Sequence, residues 1–253
     1  MEFAHKFSRE DMLSSLDEFY HLYSNRPIKE NFGGMKSPHM FPAWFIIKKT
    51  KPKYIIESGV FQGLGTWFFE QASPESKIIC IEPEQRHIIY RSDKASYQTK
   101  DLLLTDWSHL PKEDTFLFLD DHQNFFERLK GAVSMGFKKM IVEDNYPAEQ
   151  GDCYSPKKIL ANTDYVIDQG GKRSWFPNKK DDLSFFHENV SVYQEMPPIF
   201  KGLHTRWGDP WTDSNYPTPP PLLNAYEILD VEKYPTFARE YLDYTWICYI
   251  ELN

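Results

Sequence analysis

Four short runs constrain this chain more than anything else in it: YIIES (54–58), KIICIE (77–82), TFLFLD (115–120) and KKMIVED (138–144). Each is apolar almost throughout, and stretches with helical spacing lie between them, over 64–71, 85–91 and 124–134. A strand with one wet face alternates polar and apolar residues, so a continuously apolar strand is covered on both faces. Such strands alternating with helices predict a parallel sheet sandwiched between helices, an α/β architecture. LLL (102–104) reads as a further short strand.

Before this region, Ser8 followed by Asp11 predicts a helix start. The segment 9–24 then places Met12, Leu16, Phe19 and Leu22 or Tyr23 at helical spacing, and Pro27 closes it. A second helix is expected from Ser37-Pro38 to about residue 49, since proline fits a first helical turn. After it, FFHENVSVYQE (185–195) suggests strands around a turn at Glu188-Asn189, and TWICYIEL (245–252) a last buried strand. Between them Pro197, Pro198, Pro210, Pro217, Pro219, Pro220 and Pro221 exclude regular elements. A long loop of that kind reads as a lid or binding loop, or else as a linker. The expected organisation is one domain over 1–253: a helical cap (1–50), a ligand-binding core (51–147) and a C-terminal half (148–253).

Hydrophobic residues at 41% and charged residues at 26% are the balance of a folded globular chain. The net charge of −8 argues against nucleic acid as a partner, because gripping phosphates takes a basic surface. No apolar run approaches the roughly 20 residues of a membrane span, and the N-terminus lacks an apolar signal core. No membrane partner and a cytoplasmic location are therefore expected. Cys80, Cys153 and Cys248 are far apart in sequence, and none forms a C-x-x-C pair, so neither a disulfide framework nor a thiolate metal site is expected.

The sharpest local signal is Glu57-Ser58-Gly59-Val60-Phe61-Gln62-Gly63-Leu64-Gly65-Thr66, between an expected strand and an expected helix. Glycines let backbone approach a ligand, and a helix N-terminus offers free N–H groups. A second acid, Glu82, closes the next strand, where a carboxylate accepts hydrogen bonds from a ribose. A dinucleotide site would carry G-x-G-x-x-G. Here Glu57 replaces the first glycine, and an anion there repels a pyrophosphate but attracts the ammonium of an amino-acid moiety. A glycine turn that merely packs a helix on the sheet is the plainer alternative.

This stretch resembles motif I of the class I S-adenosylmethionine-dependent methyltransferases, E-x-G-x-x-x-G. It is most similar to the branch of cephalosporin-hydroxylase-type proteins and metal-dependent macrolide or sugar O-methyltransferases, where E-x-G-V-x-x-G-x-x-T is usual. The resemblance covers about residues 50–147. It implies a Rossmann-like, doubly wound, mostly parallel seven-stranded sheet with helices on both faces. It also implies S-adenosylmethionine as cofactor, with Glu57, Gly59 and Gly63 at its methionine part, Glu82 on the ribose, and Asp106 and Trp107 flanking the adenine.

Asp120-Asp121-His122 and Glu143-Asp144-Asn145 stand at the ends of the next two strands, in the crevice where open α/β sheets bind ligands. Hard oxygen donors suit Mg²⁺, which orients a hydroxyl and lowers its pKa. The pattern resembles the metal site of catechol O-methyltransferase-like enzymes, which implies Asp120, Asp144 and Asn145 as metal ligands. Those enzymes carry a lysine three residues after the first Asp, and Gln123 stands there instead. His122 is then the expected general base, a neutral imidazole near its useful pKa, with Asp120 beside it.

The acceptor is expected to be a small molecule with a hydroxyl, such as a sugar, polyketide or phenol. It would be selected by Gly33-Gly34-Met35, by the loop 170–176, and by His204, Trp207 and Trp211, whose rings stack on sugars or aromatics but also serve as core. A homo-oligomer through the N-terminal helices is compatible with this reading. Two alternatives stand beside it: a cephalosporin-hydroxylase-type oxygenase, which would want two histidines and a carboxylate, and a non-catalytic binding protein on the same fold.

Overall fold

The computed structural model describes residues 3–253. Its centre is a seven-stranded sheet built from β1 (Tyr54–Ser58), β2 (Lys77–Ile81), β3 (Ala95–Gln98), β4 (Thr115–Leu119), β5 (Lys139–Val142), β8 (Val190–Glu195) and β9 (Cys248–Leu252), in the order β3-β2-β1-β4-β5-β9-β8. The five strands from β3 to β5 run parallel, while β9 is antiparallel to both β5 and β8. This is the helix-covered parallel sheet that the apolar runs predict, in the Rossmann-like, doubly wound, seven-stranded form that the resemblance implies. The chain order reverses between β1 and β4, so a crevice opens beyond their carboxyl ends.

The apolar runs are continuous because alternate residues enter two different cores. Ile55, Phe116, Phe118, Ile141 and Tyr249 face one way, onto α1 (Arg9–Ser24), α2 (Ser37–Thr50) and α3 (Leu64–Ala72). Ile56, Leu117, Leu119, Met140 and Ile250 face the other, onto α4 (Phe125–Met135), α5 (Pro156–Ala161) and α6 (Lys180–Asn189). The first helix starts as expected, the Ser8 hydroxyl accepting the Asp11 N–H, and buries Met12, Leu16, Phe19 and Tyr23.

Three expectations fail for identifiable reasons. The third strand is Ala95–Gln98, an edge strand with a part-polar sequence, whereas LLL (102–104) forms a 3₁₀ turn with Leu104 68% exposed. No helix spans 85–91 beyond the 3₁₀ turn Gln85–His87, because the Ile89 and Tyr90 N–H groups both turn to the Gln62 carbonyl. The segment 185–195 is the end of α6 followed directly by β8, with Phe186 fully buried beneath the sheet. The proline segment holds no helix or strand, only an isolated bridge between His204 and Pro210.

A separate hairpin was not expected. β6 (Tyr165–Gln169) and β7 (Lys172–Phe176) pair antiparallel around Gly170-Gly171, both at positive φ as a two-residue hairpin turn demands. Two short helices, α7 (Ile228–Lys233) and α8 (Pro235–Arg239), precede the final strand.

Candidate active site

The turn from β1 into α3 is built by close approach. Gly59 has φ +90°, and a Cβ there would stand 1.9 Å from the Asp120 carbonyl oxygen, so only glycine lets this turn lie against the end of β4. The Val60 and Phe61 N–H groups, freed by the turn, donate to Glu82 Oε2 at 3.1 and 2.9 Å. Glu82 Oε1 takes the Glu84 N–H at 2.9 Å. With two donors on one oxygen and one on the other, Glu82 keeps a free lone pair on Oε1 alone.

Glu57 is fully buried behind this turn. Its Oε2 accepts from the Thr66 hydroxyl at 2.5 Å and the Cys80 thiol at 3.4 Å, while Oε1 has no partner. Burial pushes its carboxyl up to about 8, against the smaller opposing pull of Thr66.

A cavity of about 660 Å³ lies over the carboxyl ends of β1, β2, β4 and β5, walled by Gly59, Glu82, Asp120, His122 and Glu143. Residues 32–36 form another side, and Arg206 and Trp207 from the proline segment a third. Glu57 and Gly63 stand behind the wall rather than in it. Asp106 and Trp107 are not at the cavity. The Trp107 indole is buried in the second core and donates to the Leu102 carbonyl at 2.8 Å, and Asp106 takes the Ser108 N–H at the surface. Because β3 ends at Gln98, it is Thr99 and Asp101 that reach the wall where those two were expected. Of the expected acceptor residues, Gly33, Gly34, Met35 and Trp207 line the cavity. Trp211 is core, its indole donating to Thr218, and the loop 170–176 stays outside, with Trp175 66% exposed.

Opposite Glu82 the acids converge. One donor atom each from Asp120, His122 and Asp144 lies within 4.8 Å of the others. His122 Nδ1 is 3.1 Å from Asp152 Oδ1 and 3.4 Å from Asp144 Oδ1, and its backbone N–H donates to Asp144 Oδ2 at 3.1 Å. That last bond holds His122 at φ +51°, a left-handed conformation that costs a residue other than glycine about 1–3 kcal/mol. Asp144 is buried, and its Oδ1 accepts no hydrogen bond. Burial, then the charge of Glu143, drives both the Asp120 and Asp144 carboxyls well above the usual range.

Two sequence expectations change here. Asn145 does not face the cluster: its Nδ2 donates to the Tyr193 hydroxyl at 2.9 Å, and its Oδ1 takes the Lys157 N–H at 2.8 Å. His122 stands in its place among the converging donors. Nor is His122 a neutral base in this setting, since its contact with Asp152 raises its pKa to about 9 and leaves it a cation at neutral pH.

Residues without a sequence signal complete the site. His39, on α2 and 1% exposed, places Nδ1 2.5 Å from Glu143 Oε1. Burial works against the Glu143 charge, but His39 holds that carboxyl below its ordinary range. Arg128 grips Asp101 with two hydrogen bonds of 2.8 and 2.7 Å and Asp121 with an ion pair of 2.8 Å.

Fold and site together define an α/β protein with an acid-lined ligand crevice at the switch point of a doubly wound sheet. No protein-family model and no curated protein matches the chain. Solved structures of similar shape include a Klebsiella pneumoniae protein described as an O-methyltransferase, at 13% identity and TM-score 0.39, covering 53% of this chain and 65% of that one. A Bacillus cereus O-methyltransferase in complex with S-adenosylhomocysteine aligns at 16% identity and TM-score 0.44, over 74% and 84% of the two chains. A magnesium and S-adenosylmethionine form of CmcI aligns at 17% identity and TM-score 0.37, over 57% and 68%.

Proposed function

We propose that the chain is an S-adenosylmethionine-dependent methyltransferase acting on a hydroxyl of a small molecule. One observation carries the reading. The Val60 and Phe61 amides, which a dinucleotide site would turn to a pyrophosphate, are occupied by the Glu82 carboxylate. A site so lined repels phosphates and favours a ligand bearing an ammonium and a sulfonium.

In this reading Gly59 gives the donor's methionine part room, and the free lone pair of Glu82 Oε1 takes one ribose hydroxyl. Thr99 and Asp101 stand on the adenine side. Asp120, His122 and Asp144 fit a divalent cation, because a buried and a part-buried carboxylate converge with an imidazole that would release its proton on ligation, and one carboxylate oxygen is left unpartnered. Such an ion, when bound, supplies positive charge that acidifies the acceptor hydroxyl. The protein's own part is positioning, holding the acceptor oxygen in line with the methyl carbon between residues 32–36 and the Arg206–Trp207 wall. Both parts of the chain, before and after residue 147, supply walls to the one site.

Calorimetric titration with S-adenosylmethionine and with NAD, each with and without Mg²⁺, tests the reading. Binding of S-adenosylmethionine that is lost in Glu82→Ala is the expected result. Binding of NAD instead, or of neither, would reject it.

A further inference from the structure

We propose that His39 is a positioning residue: a buried imidazole with its one ring proton fixed on Nδ1, which holds the Glu143 carboxylate at the cavity wall. The proposal rests on the divalent-cation reading given above. Hydrogen-bond chemistry decides the tautomer. The Thr245 backbone N–H lies 2.8 Å from His39 Nε2, and a peptide N–H can only donate, so Nε2 is a bare acceptor. The single proton of a neutral ring is then on Nδ1, 2.5 Å from Glu143 Oε1. A second proton on the ring would set two donors face to face at Thr245. At 1% exposure no solvent is at hand to relieve that clash.

The ring is held from separate parts of the chain. It rides on α2, meets Glu143 just past β5 and Thr245 just before β9, and packs edge-on to Tyr244 at 5.5 Å. Glu143 therefore has one oxygen committed, and its carboxyl meets Asp144 within the cluster. Glu143, Asp144 and Asp120 repel one another there. Without the Nδ1–H bond Glu143 would be free to turn away from the cavity wall. Partners bonded directly to a metal ligand are worth about 10–100-fold in metal affinity. His39 acts one contact further out, through Glu143 beside the ligand Asp144, so its share is at the low end of that range.

Two substitutions separate the halves of the bond pattern. His39→Asn keeps a donor near the position of Nδ1 and gives up the acceptor for Thr245. His39→Gln keeps an acceptor near Nε2 and gives up the donor to Glu143. Both remove the ring, so thermal melting should fall in both. Mn²⁺ affinity, read by calorimetry or paramagnetic resonance, should stay near that of the parent in His39→Asn and drop about tenfold in His39→Gln. Equal affinity in the two variants would overturn the role of His39 while leaving the cation reading intact. A parent protein that binds no Mn²⁺ would remove the cation reading, and the positioning role with it. The ¹⁵N shifts of His39 in the parent need no variant at all: a protonated Nε2 would overturn the tautomer.

Discussion

Glu57 keeps a carboxyl in a place with no cation and one unpartnered oxygen, and its pKa rises from 4.5 to about 8. An acid whose folded pKa exceeds its unfolded one favours folding when protonated. Its contribution is whole below about pH 4.5 and is lost as the pH climbs through 8. Glu57→Gln keeps the shape and stays neutral. Parent and variant should melt together near pH 5, and the parent should fall behind by on the order of a few kcal/mol by about pH 8.5. Parallel melting temperatures across that range would mean that Glu57 ionises freely in the folded protein. At this scale the sequence spoke clearly where a residue closes a strand, as Glu82 and Asp120 do. It spoke poorly one step further on. Beyond Val142 the strand's alternation has ended, and the Asn145 N–H, bonded to the Glu143 and Trp246 carbonyls, helps set the backbone course that carries its side chain away from the cluster. His39 was illegible because its partners lie far off in sequence, and a lone histidine in an apolar helix has no pattern.

The turn between β1 and α3 turns on two glycines, and Gly63 offers a controlled comparison. It has φ +89°, and a Cβ would stand 2.2 Å from the Tyr90 carbonyl oxygen, whereas Gly171 in the hairpin has φ +84° with nothing within 4 Å. Gly171→Ala should lose only the left-handed penalty, about 1–2 kcal/mol. Gly63→Ala adds a backbone clash and should destabilise by clearly more, as chemical denaturation would read. Equal losses would mean that the Tyr90 segment yields without cost. The four buried strands were legible because both their faces are apolar, a pattern no loop sustains. β3 was not, since an edge strand has only one neighbour and can be polar. The α6–β8 join was hidden as well, because Phe185 and Phe186 fit either period over so few residues.

Over the whole molecule the charge is −8, and acids outnumber bases around the cavity, where Glu82, Asp101, Glu143 and Asp152 stand with Lys36, Arg128 and Arg206. Salt screens such a field over about 8 Å at physiological strength. S-adenosylmethionine carries one more positive charge than S-adenosylhomocysteine, so added salt should weaken binding of the first more than of the second. Equal salt dependence would place the sulfonium outside the acidic field. The position of β9 has a different consequence, one of timing. It seals the inner edge of β5, and Thr245 just ahead of it supplies the N–H that His39 needs. During synthesis at roughly 5–20 residues per second, β5 waits on the order of ten seconds for that strand. Through that interval the nascent chain presents a bare apolar edge and an unfinished carboxylate cluster. A ribosome-bound chain halted before Cys248 should therefore depend on chaperone cover, and ligand binding should arise only once the last strand has closed the sheet.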